Sequence, residues 1–217
     1  MRLFYHPLSS YCWKVLIALY ENGAPFEGLV LDNPQAAADL QALWPIARFP
    51  LLRDEQRGAT VAEASIIIEY LGVHYPTAFT PIPMDVDSAL EVRLMDRLFD
   101  NYVMTPMQAF VADRIRPDGT QDRHGVGQAR TLLGKAYALL EERIAGRTWA
   151  AGEAFTLADC AALPALFYAD KVVPFRASHP VLAAYLARLE ARPSVARVLA
   201  EKEPVWAMFP FADGPPV

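Results

Sequence analysis

The stretch Tyr5-His6-Pro7-Leu8-Ser9-Ser10-Tyr11-Cys12-Trp13-Lys14-Val15 decides how the rest of the chain is read. Residues 1–5 alternate enough apolar side chains for a short strand, Pro7 and Leu8 break it, and the Val15, Leu16 and Leu19 spacing predicts a packed helix over 13–20. Ser9 or Ser10 therefore falls where a strand hands over to a helix. The unpaired N–H groups of a first helical turn, with the positive end of its dipole, favour an anion, and a hydroxyl there can donate to a thiolate, carboxylate or phosphate. A serine at this spot is also an ordinary helix cap.

Outward from this junction, 27–31 reads as a second strand and 34–43 as a helix ending at Trp44-Pro45. Strands over 49–52 and 60–62 follow, separated by the polar turn 53–58, and then an apolar helix over 64–75. Strand, helix, strand, helix, strand, strand, helix within so short a span describes a small α/β unit with a mixed sheet, too short for a doubly wound dinucleotide domain. Neither GxGxxG nor GxxxxGK[ST] is present, so no nucleotide is expected.

Residues 74–87 lose helical periodicity and carry Pro76, Pro81 and Pro83, marking a connector. Beyond it the periodicity predicts only helices, over 89–115, 128–144, 157–172, 181–191 and 194–201. Pro106 inside the first of these is expected to kink or end it. The expected organisation is a first domain over 1–76, a linker over 77–87 and an all-helical domain over 88–217.

The chain has 217 residues, 53% of them hydrophobic, which is ample for a core, and a net charge of -5 with acids and bases interspersed. No basic run stands out, so nucleic acid is not expected as a partner. A first strand starting at Arg2 leaves no room for a cleaved signal, and no apolar run reaches the roughly 20 residues of a membrane span, so a cytoplasmic protein off the membrane is expected. Cys12 and Cys160 are far apart and expected to be reduced. His6, His74, His124 and His179 show no i, i+4 pairing and no CxxC accompanies them, so no metal is expected.

Several separated motifs, in order, resemble those of the cytosolic glutathione transferases. Ser9-Ser10-Tyr11-Cys12-Trp13-Lys14-Val15 resembles the serine-type active-site stretch, particularly that of zeta-like members. Trp44-Pro45-Ile46-Ala47-Arg48-Phe49-Pro50 resembles the Asn-Pro-x-Gly-Lys-Val-Pro loop. Glu63-Ala64-Ser65-Ile66-Ile67-Ile68-Glu69-Tyr70-Leu71 resembles the Glu-Ser-x-x-Ile-x-x-Tyr-Leu helix start. Phe155-Thr156-Leu157-Ala158-Asp159 resembles the family's N-capping motif, and Arg192-Pro193-Ser194-Val195 its final helix entry.

The resemblance implies a thioredoxin-like α/β domain followed by an all-α bundle, glutathione as cosubstrate, and a twofold homodimer. It implies a cis peptide at Phe49-Pro50, with Phe49 offering its backbone to the cysteinyl part of glutathione as an added strand would. Glu63 and the residue after it would hold the γ-glutamyl end, and Arg48, at the family's lysine position, would lie near the glycyl carboxylate. Here the chain departs from the pattern: Ala64 stands where a serine is expected, and the adjacent Ser65 is turned about 100° away by one helical step. Ser9, with Ser10 as neighbour, is the expected thiolate-stabilising hydroxyl; Tyr5 and Cys12 are its rivals. Leu8, Tyr102, Met104, Met107 and Phe110 are expected to line an apolar electrophile pocket. The implied activity is conjugation of the glutathione thiolate to a small apolar electrophile, as in detoxification. A glutathione-dependent isomerase or peroxidase, and a non-catalytic binding or regulatory protein of the same fold, are the alternatives.

Overall fold

The computed structural model describes residues 1–215; residues 216 and 217, at the end of the expected second domain, lie outside them. The N-terminal domain is built on a four-stranded sheet of order β2-β1-β3-β4, with β1 (Arg2–Tyr5), β2 (Glu27–Val30), β3 (Leu51–Asp54) and β4 (Ala59–Ala62). β1 pairs parallel with β2, while β3 runs antiparallel to both β1 and β4. Successive residues point to opposite faces, so Leu3 joins the main core under α1 (Ser10–Asn22) and α3 (Ala64–His74). Phe4 packs instead with Leu51 and Leu40 beneath α2 (Pro34–Leu43). Both faces are covered, giving helix–sheet–helix layers.

The observed β3 begins two residues later than the expected strand over 49–52, and runs on into the expected turn. Pro50 has no N–H for a ladder and the Phe49-Pro50 peptide is cis. Asp54 extends the strand although charged, because the hydroxyls of Tyr70 and Tyr75 both donate to its carboxylate. The Tyr70 and Tyr75 hydroxyls thus tie the C-terminal end of β3 to the second half of α3 and its C-cap.

The C-terminal domain is helical: α4 (Val86–Leu98), α5 (Thr105–Arg114), α6 (Arg123–Ile144), α7 (Leu157–Val172), α8 (Pro180–Glu190) and α9 (Pro193–Glu201), then a 3-10 turn over Glu203–Met208. α7 is buried on nearly every side and starts at a capping box, in which Thr156 and Asp159 satisfy each other's backbone N–H groups. Asp159 does more than cap, since it also accepts from the Ala150 N–H and the Tyr185 hydroxyl.

The helix expected over 89–115 is not wound evenly along its length. Residues Phe99–Met104 form a π-helical turn between α4 and α5, and the Thr105 N–H reaches back to the Asp100 carbonyl. Pro106, which has no N–H to offer, then enters at the start of α5, where none is needed.

The two domains meet around one buried cation. Lys14 on α1 is 1% exposed. Its ammonium is ion-paired with Asp96 of α4 and with Asp100 of the π turn, the latter at 2.8 Å, and donates to Ser65 Oγ at 2.9 Å. Removing one partner of a buried pair leaves its counter-charges uncompensated and costs about 3–5 kcal/mol. Lys14→Met is therefore expected to lose about that much unfolding free energy in denaturant titrations at neutral pH. The deficit should shrink at low pH, where Asp100, whose carboxyl burial already raises, takes up a proton and no longer needs the cation. A deficit independent of pH would contradict this account.

Candidate active site

The loop ahead of α1 is fixed at nearly every polar group. The Ser9 N–H donates to the His6 carbonyl at 2.9 Å, and the Leu8 N–H to His6 Nδ1 at 3.1 Å. Trp13 Nε1 donates to the Pro7 carbonyl at 2.6 Å, and the Tyr168 hydroxyl, from α7, donates to the Leu8 carbonyl at 2.8 Å. Trp13 and Tyr168 lie ring to ring with centroids 4.8 Å apart, and Phe209 also packs on Tyr168, with centroids 4.9 Å apart. Ser9 is thus set at the helix entrance by hydrogen bonds from both domains.

Ser9 is the N-cap: its Oγ accepts from the Cys12 N–H at 3.4 Å. A hydroxyl has one proton and two acceptor sites, so the cap uses a lone pair and leaves the O–H for another acceptor. Capping and thiolate stabilisation are compatible here. Ser10 is the first residue of the helix and is buried.

Beside Ser9 opens a cavity of about 750 Å³ between the two domains. Its N-terminal wall carries Ser9, Arg48, Phe49, Pro50, Glu63, Ala64 and Ser65 together, with Tyr11, Trp44 and Ile66. Glu63 has φ 69°, a left-handed backbone in a residue with a side chain, which costs of order 1–3 kcal/mol and is stored where the cavity wall meets α3.

The rivals of Ser9 lie elsewhere. Tyr5 is outside the cavity wall, its ring so close over β2 that a Cβ on Gly28 would come within 2.9 Å of it. Burial, helped by Glu201, raises its phenol further. Cys12 is fully buried, and burial pushes its thiol up to about 12 against the lowering effect of the Ser9 hydrogen bond. Neither of them lines the cavity.

The expected electrophile pocket needs correction. Met104, Met107 and Phe110 are buried in the main core, Tyr102 is half exposed, and neither they nor Leu8 line the cavity. Their spacing is that of a core stripe, and the π turn leaves a different face toward the opening. The wall there is polar: Arg93, Asp96, Arg97, Asp100, Asn101 and Gln108. Arg93 is engaged by Glu69 of α3 through Nε at 3.1 Å and Nη2 at 2.7 Å. Burial raises the Asp100 carboxyl above its usual range even with Lys14 beside it. Burial, with Asp100 adding, pushes the Tyr11 phenol up to about 12, so Tyr11 presents a protonated O–H at neutral pH. Sequence reasoning missed these residues; the one available signal was the close spacing of Asp96, Arg97 and Asp100 along the chain.

Ser65 lines the cavity, but its hydroxyl is fully used. It donates to Asp96 Oδ2 at 2.9 Å and accepts from Lys14 Nζ at 2.9 Å and Arg97 Nη2 at 2.5 Å. One proton and two acceptor sites are all a serine has, so its side chain cannot replace the hydroxyl absent at position 64. The backbone N–H groups at the start of α3 are unaffected by this. Among the described residues no group of three His, Cys, Asp or Glu side chains is arranged to hold a metal ion, and no helix is long and apolar enough to cross a membrane.

Comparison with known proteins matches residues 3–79 to the glutathione S-transferase N-terminal domain and residues 98–193 to the glutathione S-transferase C-terminal domain. A glutathione S-transferase from Methylobacterium radiotolerans, solved in complex with glutathione sulfonate, is 31% identical, with a TM-score of 0.79 over 91% of this chain and 93% of that one. One from Methylobacillus flagellatus, solved with glutathione bound, is 26% identical, with a TM-score of 0.81 over 91% and 98%. A curated glutathione S-transferase from Pseudomonas putida is 26% identical over 94% of this chain and 93% of its own length.

The burial of both cysteines gives a direct expectation. Neither Cys12 nor Cys160 should react with iodoacetamide in the native protein at mildly alkaline pH, and both should react once it is unfolded. Rapid native alkylation of Cys12, read by mass spectrometry, would reinstate it as a chemical group.

Proposed function

Because the chain belongs to the glutathione S-transferase family, we propose that it binds glutathione in the interdomain cavity and stabilises its thiolate with the Ser9 hydroxyl for attack on an electrophile. The observation that carries this reading is the convergence of Ser9, Phe49, Pro50 and the strained Glu63 on one cavity. Phe49 would pair with the cysteinyl backbone, Glu63 would face the γ-glutamyl ammonium, and Arg48 the glycyl carboxylate.

A glutathione thiol behaves like a free cysteine, with a pKa near 8.5, and lowering it by about two units takes ~2.7 kcal/mol. A hydroxyl donating to a thiolate supplies about 1.5–3 kcal/mol and a helix N-terminus about 0.3–2 kcal/mol. Ser9 at the head of α1 offers both, so no ionised side chain is required. The acceptor would enter past Tyr11, Asn101 and Gln108, a wall that suits a more polar molecule than the apolar electrophile the sequence suggested.

Two copies of the chain would pair through the apolar side chains that α3, the connector and α4 leave exposed, among them Val73, Met84, Val86 and Leu90. They border a second cavity of about 610 Å³, and such patches mark association surfaces.

Ser9→Ala is expected to raise the pKa of bound glutathione by about 1–2 units, read from ultraviolet thiolate absorbance against pH. Turnover at neutral pH should fall about 10- to 100-fold, while calorimetry shows little change in glutathione affinity. Glutathione binding with no Ser9-dependent thiolate would move the function to the regulatory reading, whereas a Ser9-dependent thiolate that conjugates no electrophile would move it to the isomerase or peroxidase reading. Leu90→Glu should shift the mass seen by light scattering from dimer to monomer, and an unchanged mass would place any interface elsewhere.

A further inference from the structure

The cavity lacks a hydroxyl where one would hold the γ-glutamyl α-carboxylate: residue 64 is alanine, and the Ser65 hydroxyl is spent on Asp96, Lys14 and Arg97. Three guanidinium groups reach the cavity. Arg48 lies on the loop before Pro50, and Arg93 is forked onto Glu69.

Arg97 differs from both. Its Nη2 sits 2.5 Å from Ser65 Oγ, so the guanidinium lies against the residue that follows Ala64. Its Nε and Nη2 are bonded to Asp96 Oδ2, and Nη2 also reaches Asp100 Oδ2 at 2.7 Å. Nη1, with two N–H donors, has no partner among the described residues, on a side chain that is 49% exposed. The carboxylates that fix Arg97 also face Lys14, so two cations share two anions and Arg97 has no private counter-charge. A guanidinium held on one side and free on the other is pre-organised for a planar carboxylate.

We propose that Arg97 replaces the hydroxyl missing at position 64 and holds the α-carboxylate of the γ-glutamyl end of glutathione. This rests on the glutathione reading of the cavity. It makes a C-terminal-domain residue the specificity determinant for one end of the peptide.

The test is calorimetric titration of the whole protein with glutathione and with 4-aminobutanoyl-Cys-Gly, which is glutathione without that carboxylate. The native protein should prefer glutathione by about 10- to 100-fold. Arg97→Gln should abolish that preference and leave the analogue's affinity unchanged, whereas a purely structural loss would weaken both ligands alike and overturn the assignment. Ala64→Ser, which leaves the charge network intact, should tighten glutathione less than about threefold, because the carboxylate is already held. A gain of tenfold or more would mean that the carboxylate lacks a partner and would also overturn it. If the native protein binds glutathione without discriminating the analogue, Arg97 is excluded while the glutathione reading stands; if it binds neither, both fall.

Discussion

An ammonium group withdrawn from water is the constraint on which the rest of this molecule depends. Burying a lone cation costs several kcal/mol even after relaxation, so Lys14 can occupy the interior only if acceptors are supplied at fixed positions. Asp96 and Asp100 come from the C-terminal domain, and Ser65 from the first turn of α3. The three elements so tied, α1, α3 and the α4–π segment, are also the walls of the cavity. Satisfying one buried charge therefore sets the relative placement of Ser9, Ala64 and Arg97, and the site inherits its geometry from a requirement of folding.

Polar groups in this region are consumed by one another to an unusual degree. Ser65 has no hydrogen-bonding capacity left, and Arg97 has one nitrogen free. The loop that carries Ser9 has its carbonyls and N–H groups taken by His6, Trp13 and Tyr168. Such saturation leaves few side-chain donors for a ligand, and those that remain are held rigidly. Less ordering entropy is then lost on binding than at a floppy site.

Where local chemistry decides, the sequence was sufficient. α2 and α7 fall where Pro34 opens one and the Thr156–Asp159 box opens the other. The N-terminal wall of the cavity was legible because its residues lie in short motifs whose spacing is preserved along the chain. β3 was displaced because Pro50 has no N–H to offer a ladder, and because a polar stretch does not reveal the two tyrosines that make Asp54 acceptable in a strand. The C-terminal wall was hidden for a different reason: periodicity separates an apolar stripe from a polar one but does not say whether the polar one meets water or a cavity. Met104, Met107 and Phe110 belong to the first stripe and Asn101 and Gln108 to the second, and only the position of the sheet domain distinguishes a wall from a surface.

The π-helical turn over Phe99–Met104 makes that wall a matter of phase. Each residue of an α-helix advances the direction of its side chains by about 100°, so the wider turn acts as a fixed angular offset between α4 and α5. Asp96 before it and Asp100 within it face Lys14; Met107 and Phe110 after it face the core. Inserting or removing one residue here would hardly alter the length of the helix, but it would rotate one half of it against the other. Over evolutionary time such a change would exchange core for cavity without altering any residue's identity.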